Sequence, residues 1–371
     1  MQKKHTRLGR ASSRTVLAAA FLLSTSLITG PAIAAPSANV SVFATGFNNP
    51  RGLKFGPDGN LYVAEGGTGG TESTVHQCGQ VPAPVGPYTG SERGGRISKV
   101  DSSGHRTTVT SHFPSSQTAS TQGNLISGVA DVAFIGTTLY ALTAGAGCSH
   151  GVHHSTNGIF QVDSPSSAHL VADLSAYQKA HPTAVIEPDD FEPDGTWYSM
   201  VAVHGAFYAV EPNHGELDKI TADGHISRVA DISASQGHIV PTAIAYHQEN
   251  FYVGNLNTFP IASGSSKILK ITPSGSIDPF VWGLTTVLGV AFDDQGRMYV
   301  LENTTGHPFP TPGTGDIVRI NSGGNPQVIA SGLFLPTAMT FGPDGALYVS
   351  NVGFGPPPVG LGQIVRVTVP N

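Results

Sequence analysis

The chain has 371 residues and a formal net charge of -6, with 46 glycines, 27 prolines and only 12% charged residues. This composition is typical of many short strands joined by tight turns, and it excludes a fold made of long helices. The acidic balance opposes contact with phosphate backbones, so we expect no nucleic acid partner.

Residues 1–34 have the pattern of a secretory signal peptide. Five basic residues precede the apolar run at 16–28, and this run is short for a membrane span. Small residues at 32–34 suit a cleavage site. Removal of these five positive charges takes the formal charge from -6 to -11. We therefore expect a mature chain of residues 35–371 that is secreted or periplasmic and does not insert into a membrane.

A thirteen-residue phrase near the start of the mature chain returns near its end, as FGPDGNLYVAEGG at 55–67 and FGPDGALYVSNVG at 341–353. Alignment of the repeats on a step from an apolar residue to tyrosine gives six copies, and the last three intervals between the tyrosines are 44, 47 and 49 residues. This spacing is typical of propeller blades of four strands. The six pairs are Leu61-Tyr62, Leu139-Tyr140, Phe207-Tyr208, Phe251-Tyr252, Met298-Tyr299 and Leu347-Tyr348.

Each repeat shows a short apolar strand, a tight turn and then the strand that carries the tyrosine. In the turn at 56–59, Pro57 fixes φ and Gly59 permits a positive φ. The last repeat lacks a fourth strand, and residues 40–46 match the fourth-strand stretch at 328–332 of the preceding repeat. We predict an all-β fold, a single six-bladed β-propeller of four-stranded antiparallel blades at 35–371. Its ring is closed by the N-terminal strand joining the last blade.

The starts of the first strands and the ends of the second strands should share one face around the central axis. The residues three positions after the repeat tyrosines are mostly glutamates and asparagines, and Arg51 begins the first strand of the first repeat. Such oxygens suit one divalent cation, with calcium favoured over zinc or copper. The alternatives are strand ends that pair with Arg51 or water, and carboxylates used in acid/base chemistry. The ligand candidates are Glu65, Glu211, Asn255, Glu302, Asn351 and Arg51, of which Glu65, Glu211, Asn255 and Glu302 are the metal candidates.

Two long loops leave the same face and carry both cysteines and several histidines. Cys78 lies in the first loop, and the stretch CSHGVHH begins at Cys148 in the second. An exported chain permits a Cys78–Cys148 disulfide, and two unpaired thiols are the alternative. The imidazoles offer a secondary zinc or copper site, although their spacing matches no compact zinc motif. The secondary metal candidates are His76, His150, His153 and His154.

The third repeat begins with an unusual entry. The stretch 187–194 holds five carboxylates, which indicates a solvated acidic loop or a calcium-binding loop. Trp197 and Tyr198 follow, and they suit packing between blades or the lining of a pocket for an aromatic or sugar-like ligand. In the second repeat, Asp131 interrupts an apolar inner strand.

Four stretches that together extend over nearly the whole mature chain resemble the ScyD/ScyE family of exported bacterial propellers. They are NNPRGLKFGPDGNLYVAEGGTGG, GPYTGSERGGRISKV, PTAIAYHQENFYVGNLNTFPIASGSSKILKIT and LPTAMTFGPDGALYVSN. The family is named after gene clusters for an aromatic sunscreen pigment, so the resemblance implies a late step outside the cytoplasm on an aromatic precursor. NHL-repeat and gluconolactonase-like propellers share the PDG and LYV phrases.

The sequence has no C-x-x-C pair or H-E-x-x-H motif, which argues against familiar thiol oxidoreductases and zinc proteases. We expect a small, aromatic ligand at the ring of Glu and Asn side chains. An enzyme of this kind would use the metal for oxidative coupling or lactonase-like hydrolysis. The alternative is a non-catalytic extracellular module that binds a protein or polysaccharide.

Overall fold

The computed structural model describes residues 35–186, 191–353 and 360–370. The strands of these residues form five sheets of four strands and one sheet of five, all with antiparallel pairing between neighbours. The six sheets form the six-bladed β-propeller that the repeats predicted. Two short helices, α1 (Leu174–Ala180) and α2 (Ser233–Gln236), connect blades. None of the described helices is long and apolar enough to cross a membrane.

Each blade runs in chain order from its first to its last strand, except that the sixth blade takes its fourth strand from the N-terminus. That strand is β1 (Val40–Phe47). Blade 1 comprises β2 (Pro50–Phe55), β3 (Leu61–Glu65), β4 (Thr89–Val100), β5 (Arg106–Gln117) and the short β6 (Ile126–Ser127). Blade 2 comprises β7 (Val129–Ile135), β8 (Thr138–Thr143), β9 (Gly158–Ser164) and β10 (Ser167–Asp173).

The remaining blades repeat this order. Blade 3 comprises β11 (Ser199–Val203), β12 (Ala206–Glu211), β13 (Glu216–Thr221) and β14 (Ile226–Asp231). Blade 4 comprises β15 (Pro241–His247), β16 (Asn250–Asn255), β17 (Ser266–Ile271) and β18 (Ile277–Leu284). Blade 5 comprises β19 (Val287–Phe292), β20 (Met298–Glu302), β21 (Gly315–Ile320) and β22 (Pro326–Leu333). Blade 6 comprises β23 (Ala338–Phe341), β24 (Leu347–Asn351), β25 (Gly362–Val367) and β1.

The N-terminal strand closes the ring, as predicted. β1 pairs with β25 in antiparallel register, with Val42 opposite Val365 and Ala44 opposite Ile364. The first strands contact one another around the axis, and β23 contacts β2 to complete the circle. The last blade therefore joins the two ends of the described chain and keeps β25 from being an open edge.

The repeated phrase has a local structural cause. In the first copy the Asp58 carboxylate accepts hydrogen bonds from the Asn60 backbone at 3.1 Å and from the Tyr62 hydroxyl at 3.0 Å. A Cβ atom on Gly56 would lie 2.6 Å from the Tyr62 ring, so only glycine leaves room for that ring. The last copy repeats the contact, since the Tyr348 hydroxyl lies 3.2 Å from Asp344. The phrase is thus the turn that fixes the second strand against the first.

Candidate functional site

The predicted ring side chains lie at the ends of the second strands, and each bonds to the backbone that enters its own blade. The partners precede the first strand of the blade by two to four residues. These side chains therefore bond blades 1, 3, 4, 5 and 6 to the segments that precede them. In four blades a side-chain oxygen accepts a hydrogen bond from a backbone N–H: Glu65 from Asn48 (2.6 Å), Glu211 from Thr196 (2.8 Å), Glu302 from Thr285, and Asn351 from Phe334 (2.8 Å). In blade 4 the Asn255 side-chain amide donates to the Ile239 carbonyl at 2.9 Å.

Glu65 is fully buried, and both of its carboxylate oxygens accept hydrogen bonds from neighbouring residues. Besides the Asn48 N–H, Arg96 contributes Nε at 2.8 Å from Oε1 and Nη2 at 2.5 Å from Oε2. The Ser98 hydroxyl also donates to Oε1. A carboxylate has about four acceptor positions, so the Glu65 carboxylate has none left for another ligand.

Glu211 is equally buried and pairs with a histidine. The His214 backbone N–H lies 2.5 Å from Glu211 Oε2, and the His214 Nδ1 atom lies 3.3 Å from the same oxygen. Burial by itself would lower the pKa of His214, but the carboxylates of Glu211, Glu216 and Glu192 raise it more, and the net pKa lies above its ordinary value. His214 therefore keeps its proton up to a higher pH than an isolated imidazole does.

The oxygens of these side chains form hydrogen bonds within the scaffold of separate blades. Across 35–186, 191–353 and 360–370 no group of three or more His, Cys, Asp and Glu side chains is placed to hold a metal. Of the loop histidines, His150 is buried, whereas His76, His153 and His154 are exposed. The backbone N–H groups of His153 and His154 donate to Glu92 instead.

Glu302 has a second carboxyl group beside it, that of Asp316. Burial raises the pKa of Asp316 to about 8, and the neighbouring Glu302 charge adds to this shift. Burial also raises the pKa of Glu302. The pair therefore retains a proton at neutral pH, shared through the hydrogen bond between the two groups.

This pair predicts a pH-dependent stability. The folded-state pKa of Asp316 lies above the unfolded value near 3.9, so the folded state keeps a proton that the unfolded chain releases between pH ~4 and ~8. The free energy of unfolding should fall as pH rises through this window and level off above about pH 8. In urea titrations from pH 5 to 9, Asp316→Asn should flatten the curve and gain about 1–3 kcal/mol at pH 8 relative to pH 5. Asp294→Asn, at an exposed carboxylate, is the control, and parallel curves for Asp316→Asn and the parent would refute the assignment.

The two cysteines form a disulfide between the long loops of blades 1 and 2. Cys78 Sγ and Cys148 Sγ lie 2.13 Å apart, and the Thr74 hydroxyl donates to the Cys148 carbonyl. The ring of His150, two residues after Cys148, packs edge-on against Tyr88 with centroids 4.9 Å apart. The disulfide therefore holds together two loops that jointly form one side of a pocket.

The pocket opens near the axis and has a volume of about 190 Å³. The starts of the first strands of five blades contribute to its lining, as does the short β6. Its walls are mainly apolar, and Trp197 is fully buried there while it also packs against the core between blades 2 and 3. The lining includes Arg51, Tyr88, Ile126, Glu192, Trp197 and Tyr198.

Arg51 places a positive charge in this apolar wall. Its Nη2 donates to the Ile126 carbonyl, and the Tyr198 hydroxyl lies beside the guanidinium. Burial lowers the pKa of Arg51 more than Tyr198 raises it, yet an arginine remains charged at any physiological pH. Burial likewise raises the pKa of Tyr198 to about 12, so that hydroxyl stays neutral and donates to the Thr337 carbonyl at 2.8 Å. Within the described part of the chain, no carboxylate forms an ion pair with Arg51.

Another part of the wall carries a negative charge. The Glu192 side chain is 7% exposed, and its Oε1 accepts the Tyr88 hydroxyl at 2.8 Å. Its Oε2 lies 3.3 Å from Nε2 of the buried His150. Tyr88 was not predicted as a site residue, and the sequence indicated Glu192 only as part of an acidic loop. The first four residues of that loop, 187–190, lie outside the described residues.

A second, smaller cavity of about 30 Å³ lies next to the pocket, and first strands from all six blades line it. Asp131 lines this cavity, where it accepts the Met200 N–H at 2.9 Å and lies 3.7 Å from Lys54 Nζ. A Cβ atom on Gly52 would lie 1.9 Å from Asp131 Oδ1, so glycine is required there. Asp131 thus interrupts an apolar strand because it joins blades 1, 2 and 3 beside the pocket.

Comparison with known proteins identifies the fold. No family model matches the chain, and no curated protein matches it. Solved structures with TM-scores of 0.51 to 0.53 include a protein of unknown function from Bacteroides thetaiotaomicron, a gluconolactonase from Xanthomonas campestris and a glucose dehydrogenase. The sequence identities to this chain are 11%, 11% and 12%, in the same order. Each match covers 89% of this chain, and the matches cover 76%, 89% and 99% of the three solved chains. The chain is similar to these propellers in fold, and at such identities the likeness extends no further.

Proposed function

We propose that the protein binds a small aromatic carboxylate in the pocket, with Arg51 as its anion anchor. The observation that carries this proposal is the partly buried Arg51 guanidinium, which lines an apolar pocket and has no carboxylate partner among the described residues. A buried charge is costly unless it is paired. An organic anion would supply the missing partner and could bond to the planar fork of N–H groups at two points.

The volume and the walls indicate an aromatic compound of about one ring. A dry apolar cavity of roughly 150 Å³ accommodates benzene, and this pocket of about 190 Å³ leaves room for a ring with one or two small substituents. Trp197 and Tyr198 offer aromatic surfaces against which such a ring can pack. The concave shape favours a small molecule over an extracellular protein or polysaccharide.

The cellular setting is a further part of the proposal. The basic and apolar pattern of residues 1–34 supports export to the periplasm or the medium. The stretches that resemble the ScyD/ScyE family support membership of that family, and an aromatic ligand agrees with it. The proposed binding does not depend on a metal ion held by Glu65, Glu211, Asn255 and Glu302, whose oxygens accept hydrogen bonds within the scaffold.

Isothermal titration with benzoate and with the neutral analogue benzyl alcohol tests the proposal. We expect Arg51→Gln to weaken benzoate binding by about 10–100-fold, since a charge-assisted hydrogen bond contributes roughly 1.5–3 kcal/mol. Binding of benzyl alcohol should change little. Arg51→Lys should restore only part of the affinity, because it keeps the charge but loses the planar fork.

Arg93→Gln serves as the matched control, since Arg93 is exposed and does not line the pocket. Melting curves of all three variants establish that the ring is intact before affinities are compared. Equal benzoate affinity in the parent and in Arg51→Gln would refute the proposal, as would the absence of saturable benzoate binding to the parent.

A further inference from the structure

The small cavity that Asp131 lines is the continuation of the pocket along the axis of the ring. The first strands of all blades run away from the face on which the pocket opens, and in three blades the residue directly after a pocket residue lines the small cavity. The three pairs are Arg51 and Gly52, Ala130 and Asp131, and Thr242 and Ala243. The two cavities are therefore successive parts of one axial channel.

Two side chains line both cavities, those of Tyr198 in blade 3 and Leu288 in blade 5. The Tyr198 hydroxyl donates to the carbonyl of Thr337, the residue before the first strand of blade 6, at 2.8 Å. Blades 3 and 6 lie opposite each other in the ring of six. The tyrosine side chain therefore extends across the axis, between the pocket and the small cavity.

The Tyr198 side chain is held at both of its ends. Next to its backbone, the Ser199 hydroxyl donates to the Thr242 carbonyl of blade 4. At the hydroxyl end, the acceptor residue Thr337 is fully buried, and its own hydroxyl donates to the Pro50 carbonyl of blade 1 at 2.6 Å. Rotation of the ring out of the channel would break the hydrogen bond to Thr337, so the ring forms a fixed partition.

We propose that Tyr198 closes the floor of the pocket and so restricts the buried part of the ligand to one aromatic ring. This inference rests on the proposed function, in which Arg51 binds the carboxylate. A cavity that accommodates benzene has roughly 150 Å³, whereas the space beyond Tyr198 has about 30 Å³. A second ring therefore finds room along the axis only when the Tyr198 side chain is absent. Tyr198 determines the size of the ligand, and Arg51 determines its charge.

Isothermal titration of the full mature chain compares benzoate with 1-naphthoate, biphenyl-3-carboxylate and biphenyl-4-carboxylate, whose second rings extend in different directions. In Tyr198→Ala the two cavities join. We expect at least one larger ligand to gain about tenfold or more in affinity relative to benzoate, because more apolar surface is buried. Tyr198→Phe is the matched control, since it keeps the ring, and it should leave each ratio of affinities unchanged.

Xenon under pressure tests the partition without a carboxylate, because xenon occupies apolar cavities. In crystals we expect xenon at the former ring position of Tyr198→Ala and none at that position in Tyr198→Phe. Melting curves establish that both variants are folded. Should Tyr198→Ala not fold, Leu288→Ala shortens the other side chain that lines both cavities and should give the same changes at smaller size.

The outcomes separate this inference from the proposed function. If benzoate binds through Arg51 but no larger ligand gains affinity in Tyr198→Ala, the proposed function stands and the role of Tyr198 is overturned. Xenon-derivative crystals of Tyr198→Ala in which neighbouring side chains fill the space and still divide the channel would overturn it too. If no carboxylate binds to the parent, the proposed function fails, and the limit on ligand size fails with it.

Discussion

Deletion of residues 40–46 is expected to leave the chain largely unfolded at 25 °C. These residues form most of β1, the outer strand of the last blade, and they pair with β25 from Gln363 to Val367. The deletion would remove the buried Ala44 and the Phe43 ring that packs against Tyr348 with centroids 5.0 Å apart. It would also expose β25 as an open edge and separate blade 6 from the N-terminal segment. A loss of roughly 5 kcal/mol or more is a large share of the ~5–15 kcal/mol that stabilises a typical domain.

A deletion of residues 35–38 provides the control, since it removes the Ser37 bonds to Ser331 but retains β1. Thermal melts followed by circular dichroism should show a near-parental transition for this control and a broad or absent one for the deletion of 40–46. A shared melting temperature for the two deletions would contradict closure of the ring by β1.

Glu65→Ala is expected to destabilise the protein by about 3–5 kcal/mol, the range seen when one partner of a buried ion pair is removed. The substitution would leave the Arg96 guanidinium and the Asn48 N–H without the acceptor that they now share. Urea unfolding measures the change directly. Glu72→Ala, at an exposed glutamate, should stay within about 0.5 kcal/mol of the parent.

The same variant separates the scaffold from the ligand site. The double variant Glu65→Ala/Arg96→Ala should recover part of the lost stability, because no charge is then left buried alone. In the folded protein, Glu65→Ala should keep its benzoate affinity, since Glu65 does not line the pocket. Unchanged stability, or a selective loss of benzoate binding without loss of stability, would show that Glu65 serves the ligand and not the blade.

The sequence predicted the fold well because a propeller repeats its local interactions. The PDG turn, the tyrosine of the second strand and the spacing of about 44 to 49 residues each reflect contacts within one blade. The match between residues 40–46 and the fourth-strand stretch of an earlier repeat was sufficient to predict closure, which the pairing of β1 with β25 confirms.

The site was only partly predictable, for a physical reason. Position three after each tyrosine does lie at the end of a second strand, but the pattern does not show what each side chain contacts. For Glu65 the partners are Arg96 and Ser98, 31 and 33 residues away, and they face it only after β3 and β4 pair. Arg51 could be assigned to the face of the strand starts, and the structure places it in the pocket lining.

Tyr88 and Glu192 could not be found from periodicity, because neither lies at a repeated position. Tyr88 lies next to the start of β4, after an inserted loop, and Glu192 lies in a stretch of acidic residues whose composition indicates a solvated loop. Their contact spans 104 residues along the chain. The pair of cysteines was the one signal that the long loops converge, and it indicated neither side chain.

A crystal structure of the mature protein soaked with 4-iodobenzoate tests the central claim most directly, because the anomalous signal of iodine locates the ligand. We predict that its carboxylate lies within hydrogen-bond distance of the Arg51 guanidinium, with the ring inside the pocket against Trp197. Iodine bound only elsewhere on the protein, with water alone beside Arg51, would contradict the assignment of this pocket as the ligand site.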